Sequence, residues 1–146
     1  TEATVKANIY GKTLKSLKSE IPLYSQGSHD LARIIEKNNT NKEQLELAIK
    51  EAIDSLLVKA PIKNLLLGCT HYPIVQSEIK KLYPQLKLID PAVKLVEIVK
   101  SYLEKHQILS NTRAQLKIYT SGEMDSFLPF IDVLGIKNYT LIKQVL

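Results

Sequence analysis

Three side chains able to hold or pass a proton stand together in Gly68-Cys69-Thr70-His71. A thiol ionises within reach of neutral pH, and an imidazole two residues on can hold a proton in that range or pair with the sulfur. If a strand ends at Leu67 and a helix opens at Pro73, Cys69 lies in the turn between them. The partial positive charge of a helix start favours the thiolate, the reactive form of cysteine. Thr70 adds a hydroxyl, and exposed turn amides could receive a carboxylate. Gly68 lets the backbone bend or a ligand approach closely. A solitary cysteine beside a strand is also an ordinary small core residue, so the residues alone leave both roles open. Metal binding finds little support. His29 and His106 stand apart, and no Cys-x-x-Cys or His-x-x-x-His spacing occurs.

The surrounding pattern alternates strands and helices. Helical spacing from Val5 through Ile9 to Leu14 and Leu17 predicts a first helix ending before Pro22. Ile21–Tyr24 is a short strand candidate, residues 25–30 read as a polar loop, and a short helix is expected from Asp30 to Lys37. Thr40 with Glu43 forms a capping-box signature, after which Leu45, Ala48, Ala52, Ile53 and Leu56 share one helical face. Asn64–Leu67 is a continuous apolar run of the kind buried on both faces of a parallel sheet, and Lys87–Ile89 is a second strand. Asp90-Pro91 starts a helix with Leu95, Val96, Val99, Tyr102 and Leu103 inward. A strand at Leu116–Tyr119, a helix at Asp125–Leu134 and a last strand at Tyr139–Ile142 complete the series. Such alternation implies an α/β fold with a mainly parallel sheet flanked by helices. Ligands of such sheets collect at the carboxyl ends of strands, where Gly68–His71 falls.

Composition bounds the function. The 146 residues are 45% hydrophobic and 24% charged, as in ordinary globular chains. No apolar run is long enough to span a bilayer, and no stretch has the build of a signal peptide. One cysteine excludes an internal disulfide and fits a reducing compartment, so a cytoplasmic location is expected. The net charge of +5 comes from 20 basic against 15 acidic residues. The lysines are scattered over helical faces, only two arginines occur, and no aromatic–basic interleaving marks a nucleic-acid surface. No nucleic acid and no membrane is expected as partner. Thr1 stands where an initiator Met is usual and helical patterning starts at once, so a piece of a longer protein is expected.

The octapeptide Leu66-Leu67-Gly68-Cys69-Thr70-His71-Tyr72-Pro73 resembles the hallmark around the second cysteine of the cofactor-independent glutamate racemases, in the aspartate/glutamate racemase superfamily. In aspartate racemases Glu typically follows Cys-Thr, so His71 points to glutamate. Thr1-Glu2-Ala3-Thr4 is similar to a family segment whose threonines lie beside the substrate, and Ser121-Gly122 resembles a late family segment. The family's Asp-Ser pair and first Cys-Asn-Thr motif, which lie in a preceding portion, are not in this sequence. The resemblance therefore implies the C-terminal portion of a racemase, present as a fragment. Asp30-Leu31-Ala32-Arg33 departs from the hydrophobic stretch that the family carries before a site-facing Glu, with which Glu36 aligns.

The resemblance implies interconversion of L- and D-glutamate by two opposed thiols, supplying D-glutamate for peptidoglycan. Cys69 would be the base acting towards L-glutamate, His71 would assist its proton transfers, and Thr70 would bind the substrate carboxylate. Thr4, Thr1 and Glu36 would line the substrate site. Neither pyridoxal phosphate nor metal is implied. Residues 1–88 would form a flavodoxin-like lobe carrying the second catalytic cysteine. Residues 89–146 would return to complete the missing N-terminal lobe, or else detach or pair with another copy as a homodimer. With one thiol of two, the fragment is expected to be inactive alone. Two alternatives stay open: a related racemase for aspartate or hydantoins, and a non-catalytic α/β ligand-binding or redox module.

Overall fold

A computed structural model describes residues 2–37, 41–110 and 115–144. Helical propensity over the first residues is interrupted once. Helix α1 (Glu2–Ala7) and α2 (Ile9–Ser16) are separated by Asn8, whose backbone turns left-handed at φ 49°. Asn tolerates that region better than most residues. Gly11 one turn on leaves room for the Asn8 amide, which any side chain at 11 would strike. The single helix read from periodicity is thus two.

The strand anticipated at Ile21–Tyr24 does not form; residues 19–28 carry no regular structure. Pro22 supplies no amide donor to a sheet, and the segment stays exposed without a strand beside it. Helix α3 (Leu31–Glu36) follows, burying Leu31, Ile34 and Ile35. Thr40 of the anticipated capping box lies outside the described residues. Asn41 caps α4 (Lys42–Lys59), its side-chain oxygen accepting from the Gln44 amide at 3.1 Å.

Strand β1 (Asn64–Leu66) and β2 (Lys87–Ile89) pair in parallel, Leu65 opposite Leu88. The crossover between them holds a 3-10 helix (Tyr72–Val75) and α5 (Gln76–Leu82). Two strands cannot enclose each other, so β1 is half-buried and only Leu67 just past it is sealed. The anticipated strand buried on both faces is therefore corrected. The core lies where α3, α4 and α5 converge. Ile34 and Ile35 meet Ile49 and Ile53, closed by Val75, Ile79, Tyr83 and Leu86. Ile49 and Leu86 are entirely removed from solvent. The Tyr83 hydroxyl donates to Asp54 Oδ1 at 2.6 Å, tying the end of α5 to α4.

The chain separates into two compact units, Thr1–Asp90 and Pro91–Leu146. In the second, α6 (Pro91–Lys105) is followed by β3 (Leu116–Thr120), α7 (Met124–Val133) and β4 (Tyr139–Lys143). Strands β3 and β4 run parallel in register from Leu116–Tyr139 to Thr120–Lys143. Ile131 of α7 is the one buried hydrophobic residue among the described residues of this unit. The inward face expected of α6 is open instead: Leu95 is 60% and Val96 66% exposed, and Val99 and Tyr102 are exposed with them. Leu103, the fifth residue expected inward, is half-buried. Both units are α/β with parallel strand pairs, and no helix in the described residues is long and apolar enough to cross a membrane.

Candidate active site

Cys69 sits where β1 has ended and the crossover has not yet become helical. Leu67 still donates to Ile89 at 2.9 Å, and by Tyr72 the chain has tightened into a turn whose amide reaches back to the Cys69 carbonyl at 3.2 Å. Pro73 lies in the first turn of the 3-10 helix, where its missing amide costs no hydrogen bond. The element after Cys69 is thus a short 3-10 turn leading into α5. The α-helix start anticipated at Pro73 is displaced to Gln76. The thiol is half-buried.

The local turn folds His71 back onto its neighbours. Nδ1 of His71 is 3.5 Å from Cys69 Sγ and 3.4 Å from Thr70 Oγ1. Its other nitrogen, Nε2, lies 2.8 Å from Glu36 Oε1, a residue 35 positions away at the end of α3. A carboxylate only accepts, so Nε2 carries the hydrogen in this contact, and in a neutral ring Nδ1 is then the accepting nitrogen that faces the thiol. Proton transfer from sulfur to Nδ1 would create an imidazolium that Glu36 faces directly. The Glu36 side chain is 58% exposed against 21% for His71, so water screens the ion pair and its main effect is to orient the ring.

A cavity of about 190 Å³ adjoins the thiol turn. Thr4 of α1 and Tyr10 of α2 line it, as do Gly68 and Tyr72, the residues flanking the Cys69–His71 stretch. Tyr10 packs on Gly68 so closely that a Cβ there would lie 3.2 Å from the ring. Gly68 therefore yields its space to Tyr10. Burial pushes the Tyr72 phenol up to about 12, and the negative charge of Cys69 adds to the effect. Tyr72 is consequently a neutral hydroxyl in the neutral range.

The sequence candidates separate as follows. Cys69, Thr70, His71 and Glu36 come together, and Thr4 reaches the adjoining cavity. Thr1 lies outside the described residues. His29 is exposed, 3.9 Å from Glu2, and His106 stacks near Tyr102 with ring centroids 4.3 Å apart. Asp90 directly precedes α6. Tyr10 and Tyr72 were legible in the sequence only as core or edge aromatics. The position of Tyr72 beside the thiol motif was the one signal available.

No protein-family model matches the chain. It is 35% identical over 127 residues to a glutamate racemase of Sulfurihydrogenibium sp. (strain YO3AOP1), covering 87% of this chain and 47% of that protein. A glutamate racemase of Carboxydothermus hydrogenoformans is 32% identical over 126 residues, with 86% and 47% covered. Among solved structures, the glutamate racemase of Francisella tularensis subsp. tularensis SCHU S4 in complex with D-glutamate superposes with a TM-score of 0.83 at 26% identity. The match covers all of this chain and 55% of that one. Glutamate racemase isoform RacE1 from Bacillus anthracis gives 0.81 at 27%, covering 98% and 53%. The chain spans about half the length of the curated relatives it matches.

Proposed function

We propose, for a chain related to the glutamate racemases in both sequence and fold, that it carries one of two opposed thiol acid/bases interconverting L- and D-glutamate. The observation that carries this reading is the contact of Cys69 Sγ with His71 Nδ1 at 3.5 Å, with His71 held from its far side by Glu36 at 2.8 Å.

Racemisation removes the α-proton from one face and returns a proton to the other. One base cannot readily serve both faces of a fixed carbanion, so two opposed groups are the natural solution. In the forward direction His71 accepts the Cys69 proton. The thiolate then takes the α-proton of L-glutamate: the C–H bond breaks, an S–H bond forms, and the electron pair delocalises into the substrate carboxylate. A protonated thiol on the opposite face gives its proton to the same carbon, yielding D-glutamate. Thr70 binds the carboxylate as negative charge builds there, and Thr4 and Thr1 line the substrate. Glu36 keeps His71 oriented.

Only one thiol lies in this sequence, so the opposing one comes from outside it. Residues 1–88 form the lobe that carries Cys69, and residues 89–146 complete a second lobe with that outside portion. The open stripe of α6 supports this division. The D-glutamate formed supplies peptidoglycan.

Incubation with L-glutamate in deuterium oxide tests the reading. The chain by itself should yield no D-glutamate on chiral chromatography, at most α-deuterated L-glutamate by mass spectrometry. With the opposing thiol supplied, racemisation should appear, and Cys69→Ser should lower it at least about 10³-fold. Serine keeps the shape but is far less acidic. Racemisation by the single-thiol chain that survives Cys69→Ser would remove Cys69 from the mechanism.

A further inference from the structure

Helix α1 carries Thr4, yet little in its own build explains how it is held. It has six residues, below the length at which a helix is stable by itself, and it buries no side chain in the core. The irregular strap of residues 19–28 meets it at Gly27. Gly27 of that strap meets the first turn of α1 backbone to backbone: a Cβ on Gly27 would lie 2.9 Å from Glu2 Cα and 3.1 Å from Glu2 N. Such distances leave no room for any side chain, and the obstructing atoms are main chain that cannot swing aside.

The strap is itself anchored. Lys59, in the last turn of α4, donates to Gln26 Oε1 at 2.7 Å and to the Ser25 carbonyl at 3.3 Å. The Gln26 amide group donates in turn to the Gly27 carbonyl at 2.9 Å. Helix α4 is fixed by Ile49, Ile53 and Leu56 in the core. A continuous path therefore runs from the core through Lys59, Gln26 and Gly27 to the start of α1, two residues before Thr4.

We infer that Gly27 and Lys59 clamp α1 and are positioning residues for Thr4 at the cavity beside Cys69. The role of Thr4 toward substrate rests on the function proposed above, whereas the clamp rests on the contacts alone. Lys59 makes its hydrogen bonds to Ser25 and Gln26 and none to the thiol, imidazole or hydroxyl groups of the cluster. Its effect is transmitted entirely through the strap.

Two variants test the clamp, Gly27→Ala and Lys59→Met, with Lys59→Arg as the conservative control. Nitrogen-15 relaxation on the chain reads the order parameter of the Thr4 amide. It should fall from about 0.85 to below about 0.6 in both variants while Ile49 and Ile53 stay rigid, and Lys59→Arg should restore it. In the two-thiol protein the same variants should raise KM for glutamate about tenfold with a smaller change in kcat. An unaltered Thr4 amide in Lys59→Met, with the core folded, overturns the clamp. Since that variant removes only a surface cation, it remains informative even where Gly27→Ala unfolds the chain. A loosened Thr4 with an unchanged KM would keep the clamp and take Thr4 out of substrate binding, so the two claims fail separately.

Discussion

Helices α4 and α6 are built from similar material and meet opposite fates. Both are long and amphipathic with lysine and glutamate on the polar side, and both lie next to a parallel strand in sequence. Helix α4 lays Ala48, Ile49, Ile53 and Leu56 into a core shared with α3 and α5. Helix α6 presents Leu95, Val96, Val99 and Tyr102 to solvent and buries nothing. An amphipathic stripe thus fixes which face of a helix seeks cover, not what covers it. The unit Thr1–Asp90 contains the residues that cover α4. The unit Pro91–Leu146 leaves an apolar surface of the kind that marks an interface.

The largest test of this contrast is truncation inside α4. Ile49→Ala removes side-chain volume from a fully sealed site and should cost about 3–4 kcal/mol in urea unfolding of the first unit. A loss under about 1 kcal/mol would mean that the first core is no better packed than the second unit. Next comes the chemistry. Glu36→Gln keeps the side-chain shape but replaces the carboxylate facing His71, and turnover of the two-thiol protein should drop about tenfold. Glu97→Gln in α6, which breaks only an exposed pair with Lys94, should leave turnover unchanged. Equal effects from the two substitutions would dissolve the functional side of the comparison.

Alkaline pH supplies a smaller, graded probe. Tyr72 is pushed from 10.0 to about 12, and Tyr83 is pushed upward by burial, by its hydrogen bond to Asp54 and by the Asp54 charge. Both phenols hold their protons more tightly folded than unfolded. Their contribution is complete below pH 10 and is lost as pH rises from 10 towards 12. The first unit should therefore lose stability across that window. Tyr83→Phe should cost about 1 kcal/mol at pH 8 and flatten part of the alkaline decline. A decline just as steep in Tyr83→Phe would locate the titration elsewhere. The smallest effect is expected from Val99→Lys on the open face of α6, under about 0.5 kcal/mol for the chain by itself. A loss above about 2 kcal/mol would show that α6 is covered in solution.

Much of the fold was readable because its signals are local. Period and punctuation located α3, α6 and α7 and all four strands to within one or two residues, and the apolar face of α4, since each depends on neighbours a turn or a pleat away. The misreadings came where a contact or a single backbone angle overruled the pattern. Asn8 splits a continuous helical period by turning left-handed, and Ile21–Tyr24 reads as a strand but has no strand beside it. The thiol turn shows the same division. Cys69, Thr70 and His71 are neighbours in sequence, so their chemistry was visible at once, and the resemblance to a racemase motif followed from the same residues. That Glu36 takes the far nitrogen of His71 across 35 residues depends on how α3 packs beside the crossover. Likewise, no spacing rule links Lys59 and Gly27 to Thr4. Residue types and short-range order are written in the sequence because the forces behind them act over one or two turns. Which distant groups meet, and which apolar stripe stays uncovered, is decided only when hydrophobic burial brings remote segments together.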